Sequence, residues 1–130
     1  MDLAARVLLK ENHIAAAGGI RASIDAVRAG MAREGRSLVI ETEVKSVGEA
    51  REALEARVDW VMLDNMSLQD MRVVVQERDR RAEDTRTQLE ASGNIDLRIV
   101  RRVAATGIDA ISVGALTHSA PALDITMLLP

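Results

Sequence analysis

The sequence has 130 residues, 48% of them hydrophobic and 28% charged, which is the size and composition of one globular domain. A net charge of −3 argues against nucleic acid as a partner, and the absence of cysteine excludes disulfides and thiolate metal sites. No apolar run approaches the roughly 20 residues of a membrane span, and the first residues lack a signal-peptide core, so we expect a cytoplasmic protein without membrane contacts.

Short apolar runs alternate along the chain with longer segments whose apolar residues recur at helical spacing. The runs predict five strands, at Val7–Leu9, Leu38–Val44, Asp59–Leu63, Thr87–Ala91 and Ala110–Val113. The longer segments predict four helices, from Ile20 to about Arg33, Val47 to about Arg57, Ser67 to about Asp79 and about Asp96 to Ala105. Such alternation is typical of a parallel sheet with right-handed crossovers.

Local signals mark some of the boundaries. Ser46 and Glu49 have the spacing of a capping box, and Ser67 is suited to cap the next helix. Two segments are predicted to lie outside regular structure: residues 14–19, which are small and flexible, and the charged stretch Glu77–Arg86, which is read as a solvated helix end and loop.

The second strand indicates what kind of sheet the chain forms. Glu41 and Glu43 alternate with apolar residues, so both carboxylates lie on one face and the helices pack on the other. A doubly wound sheet would bury Glu41 under helices, whereas the mouth of a barrel would accept it. A complete (β/α)8 barrel needs about 250 residues. We therefore predict an α/β fold in which parallel βα units form part of an incomplete, TIM-like barrel of about five strands and four helices. An open five-stranded sheet is the alternative, and open edges favour self-association.

Each predicted strand ends in polar or glycine-rich residues, at the end where α/β folds place their chemistry. Asp64 is the clearest case, because it follows the buried run Trp60–Leu63 directly. Ser92-Gly93-Asn94 and Gly114-Ala115 follow the last two strands. Turns of this kind let backbone N–H groups approach a phosphate, assisted by the N-terminus of the next helix. The simpler interpretation is that the glycines only make tight turns.

Five stretches occur together in the order and spacing of a known enzyme family: Leu9–Gly19, Ile40–Val44, Met62–Met66, Leu89–Ile95 and Ser112–Asp124. The sequence resembles quinolinate phosphoribosyltransferase, also called nicotinate-nucleotide pyrophosphorylase (carboxylating), over essentially its whole length. A small departure is Asn94, where the family commonly has glycine. The resemblance implies that residues 1–130 are a partial type II phosphoribosyltransferase barrel, that the family's N-terminal sandwich domain is absent, and that the protein is a homo-oligomer, as the family is dimeric.

The resemblance also implies a reaction. Quinolinate and phosphoribosyl pyrophosphate would react with Mg²⁺ present to give nicotinate mononucleotide, pyrophosphate and CO₂, in NAD biosynthesis. Lys10, Glu43 and Asp64 are the catalytic candidates. The two carboxylates would hold the ribose hydroxyls and, indirectly, Mg²⁺, while Lys10 would lie near a substrate carboxylate or pyrophosphate. From the residues alone, the alternative is an internal salt-bridge network in which Glu43 and Asp64 pair with Lys10.

The same resemblance assigns substrate binding to residues beyond the catalytic candidates. They are His13, Ser92, Gly93, Asn94, Gly114, Ala115 and His118, besides Lys10, Glu43 and Asp64. Single histidines are more often structural than ligand-binding. Two functional alternatives stay open: a related pyrophosphorylase associated with molybdenum transport, and a truncated, non-catalytic chain that binds phosphate or assembles with a partner.

Overall fold

The computed structural model describes residues 6–81, 87–118, 123 and 125–127. Within this part of the chain, five strands form one parallel sheet in the order β1-β2-β3-β4-β5. The strands are β1 (Arg6–Leu9), β2 (Val39–Val44), β3 (Trp60–Asp64), β4 (Gln88–Ser92) and β5 (Ala110–Ile111). The helices are α1 (Glu11–Ala17), α2 (Ile20–Glu34), α3 (Val47–Glu55), α4 (Leu68–Asp79) and α5 (Val100–Ala104), and a 3₁₀ helix follows at Gly114–Leu116. None of the helices in the described ranges has the length and apolarity needed to cross a membrane.

Each strand pairs with the next strand along the chain, which distinguishes this sheet from a doubly wound one. The strand order of a doubly wound sheet reverses at a switch point, so that helices cover both faces. Here right-handed crossovers always step in the same direction and leave the helices on one face. The predicted α/β fold, with parallel βα units arranged as part of a barrel, is confirmed.

The helix-covered face of the sheet forms the hydrophobic core. Alternate side chains of β2, β3 and β4 point into it and are at most 4% exposed: Ile40, Thr42, Val44, Val61, Leu63, Leu89 and Ala91. The helices contribute Ile24, Leu54, Val74 and Val103 to the same cluster. Burial of this apolar surface supplies the main driving force for folding.

The opposite face of the sheet carries polar side chains from the same strands. Arg6 Nη1 donates a hydrogen bond of 2.6 Å to Glu41 Oε2, and the Arg6 guanidinium lies 4.7 Å from the centre of the Trp60 ring. Glu41 is only 3% exposed, and a carboxylate so buried requires a cationic partner. The acidic face predicted for β2 is therefore present, and Arg6 supplies the cation beside Glu41.

Both predicted serine caps are confirmed. The Ser46 hydroxyl accepts a hydrogen bond of 3.2 Å from the Glu49 N–H, and the Ser67 hydroxyl accepts one of 3.1 Å from the Asp70 N–H. The predicted capping box is displaced by one residue, because the Glu49 carboxylate accepts from the Lys45 N–H at 2.6 Å.

Helix α1, at Glu11–Ala17, includes part of the segment 14–19 that the sequence predicts to be flexible. Glu11 lies in its first turn, where an acidic side chain complements the helix dipole, and residues 15–17 are alanines, the best helix formers. The helix ends at Gly18, whose left-handed φ of 87° suits glycine. Only Ile14 packs against the core, so this seven-residue helix leaves no apolar periodicity in the sequence. It raises the number of α-helices in the described part of the chain from the predicted four to five.

Helix α5 covers only Val100–Ala104, so the predicted start at about Asp96 is wrong. The Asp96 carboxylate accepts hydrogen bonds from the N–H groups of Arg98, at 2.8 Å, and Ile99, at 3.3 Å. An aspartate that bonds to the backbone just ahead of it offers the chain an alternative to the helix. The residues before Val100 therefore form a turn.

Arg78 lies in the charged stretch predicted to be solvated, yet it is 3% exposed. Its guanidinium forms an ion pair with Asp109, donates to Asp79 at 2.8 Å and donates to the Gly107 carbonyl at 3.2 Å. A buried cation needs such partners. The sequence pattern could not reveal them, because Asp109 follows 31 residues later. Residues 82–86 of the same stretch lie outside the described residues.

Candidate active site at the carboxyl ends of the strands

The consecutive parallel strands bring their polar carboxyl ends together along one edge of the sheet. Lys10 follows β1, Glu43 lies near the end of β2 and Asp64 ends β3. Asp64 is the register partner of Ser92, the last residue of β4, and Glu43 is the register partner of Met62. The three predicted catalytic residues therefore lie at the same end of three neighbouring strands.

The carboxylates of Glu43 and Asp64 keep most of their hydrogen-bonding capacity. Both residues are partly buried, and Asp64 Oδ1 accepts a hydrogen bond of 3.0 Å from the Asn65 side-chain amide. In the ranges that the structure describes, neither carboxylate forms an ion pair. An ionised carboxylate has about four acceptor positions, so both groups can still accept hydroxyl hydrogens or contact a cation.

Lys10 is exposed at the start of α1 and makes no ion pair with a described carboxylate. The alternative in which Glu43 and Asp64 serve only an internal salt-bridge network with Lys10 is therefore not what the chain forms. Lys10 remains available for a ligand at the edge of the sheet.

Lys45 is a second cation at this edge, and it is not among the site residues predicted from the sequence. It follows β2 directly, and its ammonium pairs with the Glu11 carboxylate of α1. That hydrogen bond raises the pKa of Lys45, and the negative charges of Glu43 and Asp64 raise it further. The signal was present in the alternation of β2, because Lys45 continues the two-residue spacing of Glu41 and Glu43.

A cleft of about 640 Å³ opens between the loops that follow β4 and β5. The structure brings six of the predicted substrate-binding residues together in its wall: Ser92, Gly93, Asn94, Gly114, Ala115 and His118. Asp96 and Arg98 also line the cleft and were not predicted. Ser92 is the register partner of Asp64, so the cleft adjoins the strand that carries this carboxylate.

The turn after β4 depends on glycine at one position. Gly93 has a φ of +89°, and a Cβ atom there would overlap the Asn65 side chain. Asn65 in turn donates its N–H to the Ser92 carbonyl at 2.9 Å and accepts from the Asn94 side-chain amide at 2.8 Å. Among the described residues, no group accepts from the backbone N–H groups of Gly93 and Asn94. Successive N–H groups of this kind form a concave site for an anion.

Asn94 replaces the glycine that the family commonly has in this turn, and it adopts a φ of 51°. Asparagine tolerates this left-handed conformation better than most residues, because its short polar side chain can bond locally. Here the local bond is the one to Asn65. The bond to Asn65 therefore supports the left-handed conformation of Asn94 in this turn.

Gly114 and His118 form the wall of the cleft on the β5 side. The His118 N–H and the Thr117 hydroxyl each donate to the Gly114 carbonyl at 3.0 Å. A Cβ atom on Gly114 would overlap the His118 ring, so glycine is what allows the imidazole to lie against the backbone. The His118 ring and the backbone of Gly114, which has no side chain, therefore lie together in the wall of the cleft.

The helix N-terminus that we expected to assist the turn after β4 is not there. Helix α5 begins at Val100, well after Asn94, and has only five residues. Anion binding at this turn would depend on backbone N–H groups and nearby cations instead of a helix dipole.

His13 lies apart from the cleft. Its Nδ1 accepts a hydrogen bond of 3.1 Å from the Lys10 N–H, at the start of α1. Its ring lines a different, apolar groove of about 470 Å³, together with Val7, Leu9 and Val27. The predicted contact between His13 and a substrate stays a prediction.

Glu41 and Glu90 place two further carboxylates on the uncovered face of the sheet. Burial raises the pKa of Glu41, the hydrogen bond from Arg6 opposes this effect, and the negative charge of Glu90 adds to it. Glu90 accepts a hydrogen bond of 2.5 Å from the Ser112 hydroxyl. In the described part of the chain, Glu41 Oε1 has no hydrogen-bond partner, although an unpartnered buried oxygen is costly. A proton or a second cation would therefore stabilise the Glu41 carboxylate on this face.

A partial α/β barrel with carboxylates and two glycine turns at the carboxyl ends of its strands has its polar groups where α/β barrels form their active sites. Comparison with known families makes the assignment specific. Residues 1–128 match the family described as "Quinolinate phosphoribosyl transferase, C-terminal domain", and the chain belongs to that family. The resemblance drawn from the five sequence stretches is confirmed.

The relatives are considerably longer than this chain. It is 36% identical to a quinolinate phosphoribosyltransferase [decarboxylating] 1b of Nicotiana tabacum, over 98% of this chain and 39% of that protein. It is 38% identical to a probable nicotinate-nucleotide pyrophosphorylase [carboxylating] of Archaeoglobus fulgidus, over 93% of this chain and 45% of that protein. Among solved structures, the nicotinate-nucleotide pyrophosphorylase of Francisella tularensis superposes with a TM-score of 0.76 at 38% identity, over 89% of this chain and 38% of that one. The chain thus spans less than half the length of the relatives it matches.

Proposed function

We propose that this chain is the donor-binding part of an enzyme that transfers a phosphoribosyl group from phosphoribosyl pyrophosphate to quinolinate, with release of pyrophosphate and CO₂. The observation that carries the proposal is the meeting of two glycine turns in one cleft, at the same sheet edge as Glu43 and Asp64. A phosphoribosyl donor requires both a cradle for phosphate and groups that orient its ribose. The cleft and the two carboxylates at one edge of the sheet support the proposal that both are present here.

The residues can be given separate roles on this basis. The backbone N–H groups of Gly93 and Asn94 would hold a phosphate, and Glu43 and Asp64 would accept hydrogen bonds from the ribose hydroxyls. The same carboxylates would stabilise the positive charge that develops on the ribose carbon as pyrophosphate leaves. Lys10 is assigned to a substrate carboxylate or to the pyrophosphate.

Mg²⁺ fits this donor set, because Glu43 and Asp64 present the oxygen ligands that the ion prefers. The described residues contain no group of three or more side chains that could hold a metal by themselves. This arrangement suits an ion that is held mainly by the phosphates of the donor and keeps several waters. When bound, Mg²⁺ supplies charge neutralisation at the leaving pyrophosphate.

Isothermal titration of the chain with phosphoribosyl pyrophosphate and Mg²⁺ tests donor binding. The substitution Asp64→Asn keeps the size of the side chain and removes its charge, and we expect it to weaken binding about tenfold or more. Asp25→Asn is the matched control, because Asp25 lies on α2 with its side chain 60% exposed. Failure of the unsubstituted chain to bind the donor, or an equal loss in both variants, contradicts the proposal.

Catalysis is a separate test. Because the relatives are more than twice as long, we propose that further residues, outside these 130, bind the carboxylates of quinolinate. Incubation with both substrates and Mg²⁺, followed by mass spectrometry, should give no nicotinate mononucleotide until the N-terminal portion of a relative is added. Product from the chain alone contradicts this part of the proposal. A non-catalytic chain predicts no product even after the addition, and the molybdenum-associated alternative predicts donor binding without turnover of quinolinate.

The sheet also supports a proposal about assembly. Strands β1 and β5 lie at its two edges, where backbone groups are available to another chain. We propose that the chain forms homo-oligomers through these edges. Light scattering at micromolar concentration should give a mass above that of one chain, and a single monomeric species would exclude the idea.

The compartment is a further proposal. We retain the cytoplasm, as expected from the sequence, although the relatives include a protein of Arabidopsis thaliana named as chloroplastic. Microscopy of the tagged full-length gene product in its own host decides between the cytoplasm and an organelle.

A further inference from the structure

Arg98 is a guanidinium in the wall of the cleft, and neither the sequence motifs nor the proposed roles use it. It lines the same cleft as Gly93, Asn94 and Gly114. Its side chain is 89% exposed, so a ligand that enters the cleft can reach it without any rearrangement of the core. The lining contains one other positively ionisable side chain, the imidazole of His118.

One carboxylate holds Arg98 in place. Asp96 Oδ2 accepts from Arg98 Nε at 2.7 Å and lies 2.5 Å from Arg98 Nη2. Asp96 Oδ1 accepts from the backbone N–H of the same arginine at 2.8 Å. Asp96 thus fixes both the turn and the head of the side chain, yet it uses only two of the five N–H donors of the guanidinium. The other three have no acceptor among the described residues.

The free energy of the Arg98–Asp96 ion pair determines how readily a ligand can take the place of Asp96. An exposed arginine–carboxylate pair contributes only about 0–1 kcal/mol, because water screens it. A phosphate group carries more charge than a carboxylate and matches the planar fork of a guanidinium with two parallel hydrogen bonds. A phosphate group that entered the cleft would therefore offer the Arg98 guanidinium a more highly charged partner than Asp96 does.

We propose that Arg98 is an additional phosphate-binding residue of this cleft. Asp96 holds the Arg98 guanidinium in position when no ligand is bound and competes with the ligand for it. This inference rests on the proposed function, because it requires that a phosphate enters between the turns after β4 and β5. The Arg98 guanidinium, and not a helix N-terminus, would then supply the positive charge beside the turn after β4. The ligand chemistry is a phosphate monoester or a pyrophosphate.

Three variants test the inference. Arg98→Gln should weaken phosphate binding about tenfold and flatten its dependence on salt. Asp96→Asn keeps an oxygen to accept the backbone N–H of Arg98 but removes the competing charge, so binding should tighten about threefold or more. Arg102→Gln is the matched control, because Arg102 is exposed on α5 and does not line the cleft. It should stay within about twofold of the unsubstituted chain.

Titrations with inorganic phosphate, ribose 5-phosphate and pyrophosphate, each at two salt concentrations, supply the measurement. A larger effect on ribose 5-phosphate identifies a phosphate monoester as the ligand of Arg98, and a larger effect on pyrophosphate identifies the leaving group. Arg98→Lys, which keeps the charge, should recover part of the salt dependence. Circular dichroism of each variant confirms that the fold is intact.

The outcomes separate this inference from the proposed function. If the unsubstituted chain binds none of the three probes, the proposed function fails and the inference fails with it. If the unsubstituted chain binds and Arg98→Gln binds equally well, the inference alone is overturned. If Asp96→Asn fails to tighten binding, the competition assigned to Asp96 is overturned.

Discussion

The two ends of the sheet use the same residue type in opposite ways. At the amino end, Asp59 precedes β3 and accepts the Ile40 N–H at 2.7 Å, while Asp109 precedes β5 and accepts the Leu89 N–H at 2.8 Å. Each carboxylate therefore ties its own strand to the neighbouring one. At the carboxyl end, Asp64 accepts only from a neighbouring amide among the described residues.

The difference shows how a parallel α/β sheet divides stability from function. At the amino end, the carboxylates of Asp59 and Asp109 accept backbone N–H groups of the neighbouring strands and so help to hold the strands in register. The carboxyl end of such a sheet is where active sites form, and its aspartate keeps free acceptor positions. Substitutions at the two ends should therefore separate unfolding free energy from ligand affinity.

The largest expected effect is that of Asp109→Ala. It leaves the guanidinium of Arg78, whose side chain is 2% exposed, without its main carboxylate partner, and it leaves the Leu89 N–H without an acceptor. Breaking a buried ion pair costs about 3–5 kcal/mol, so we expect a loss of that order in the free energy of unfolding. Urea denaturation, followed by Trp60 fluorescence, measures it. A loss below about 1 kcal/mol contradicts the anchoring role.

A pair of glycine substitutions should have effects of opposite sign. Gly93→Ala places a Cβ atom against Asn65 in a left-handed conformation, and we expect a loss of about 2 kcal/mol in stability together with weaker phosphate binding. Gly30→Ala lies in α2, where a new Cβ atom would meet the Arg33 side chain, at its Nη2 atom, only at 3.9 Å. It should stabilise the chain by about 0.5–1 kcal/mol. Thermal melting of both variants checks the signs, and equal signs would refute the strain assigned to Gly93.

The next effect compares the two aspartates that flank β3. Asp59→Asn should lower the free energy of unfolding by about 1 kcal/mol, because the Ile40 N–H loses a charged acceptor, and should leave the affinity for phosphoribosyl pyrophosphate unchanged. Asp64→Asn should change stability by less than about 0.5 kcal/mol while it weakens donor binding. Urea denaturation and titration calorimetry on both variants measure the two quantities. A loss of stability in Asp64→Asn as large as that in Asp59→Asn would remove the distinction between the two ends.

The smallest effect concerns Glu41, which lies between the two ends on the uncovered face. Burial raises the pKa of Glu41 above its ordinary value of 4.5, so the folded chain holds this proton more tightly than the unfolded chain does. The resulting stability is fully present below about pH 4.5 and is lost as the pH rises through the raised pKa of the folded state. Glu41→Gln removes the titration and should flatten the fall of unfolding free energy between pH 4.5 and neutrality. An unchanged slope, measured by urea denaturation at several pH values, assigns the pH dependence to other groups.

Much of the fold could be predicted because its signals are local. Apolar runs located the five strands, Ser46 and Ser67 located two helix starts, and the alternation in β2 placed Glu41 and Glu43 on one face. The failures were local as well. Helix α1 packs only the partly buried Ile14 against the core and therefore leaves no apolar period, and Asp96 stabilises a turn where the apolar pattern indicates a helix.

The residues of the candidate site can be separated in the same way, into those that local sequence signals predict and those that only the fold brings together. The sequence by itself determined the order of the strands and which polar residues follow them, and through the five stretches it determined the family. Only the tertiary structure decided that Lys45 pairs with Glu11, 34 residues away, and that Asp96 and Arg98 share a cleft with Gly114 and His118. Periodicity, caps and turns act over a few residues and can be read along the chain, whereas ion pairs and clefts depend on which loops the folded sheet brings together.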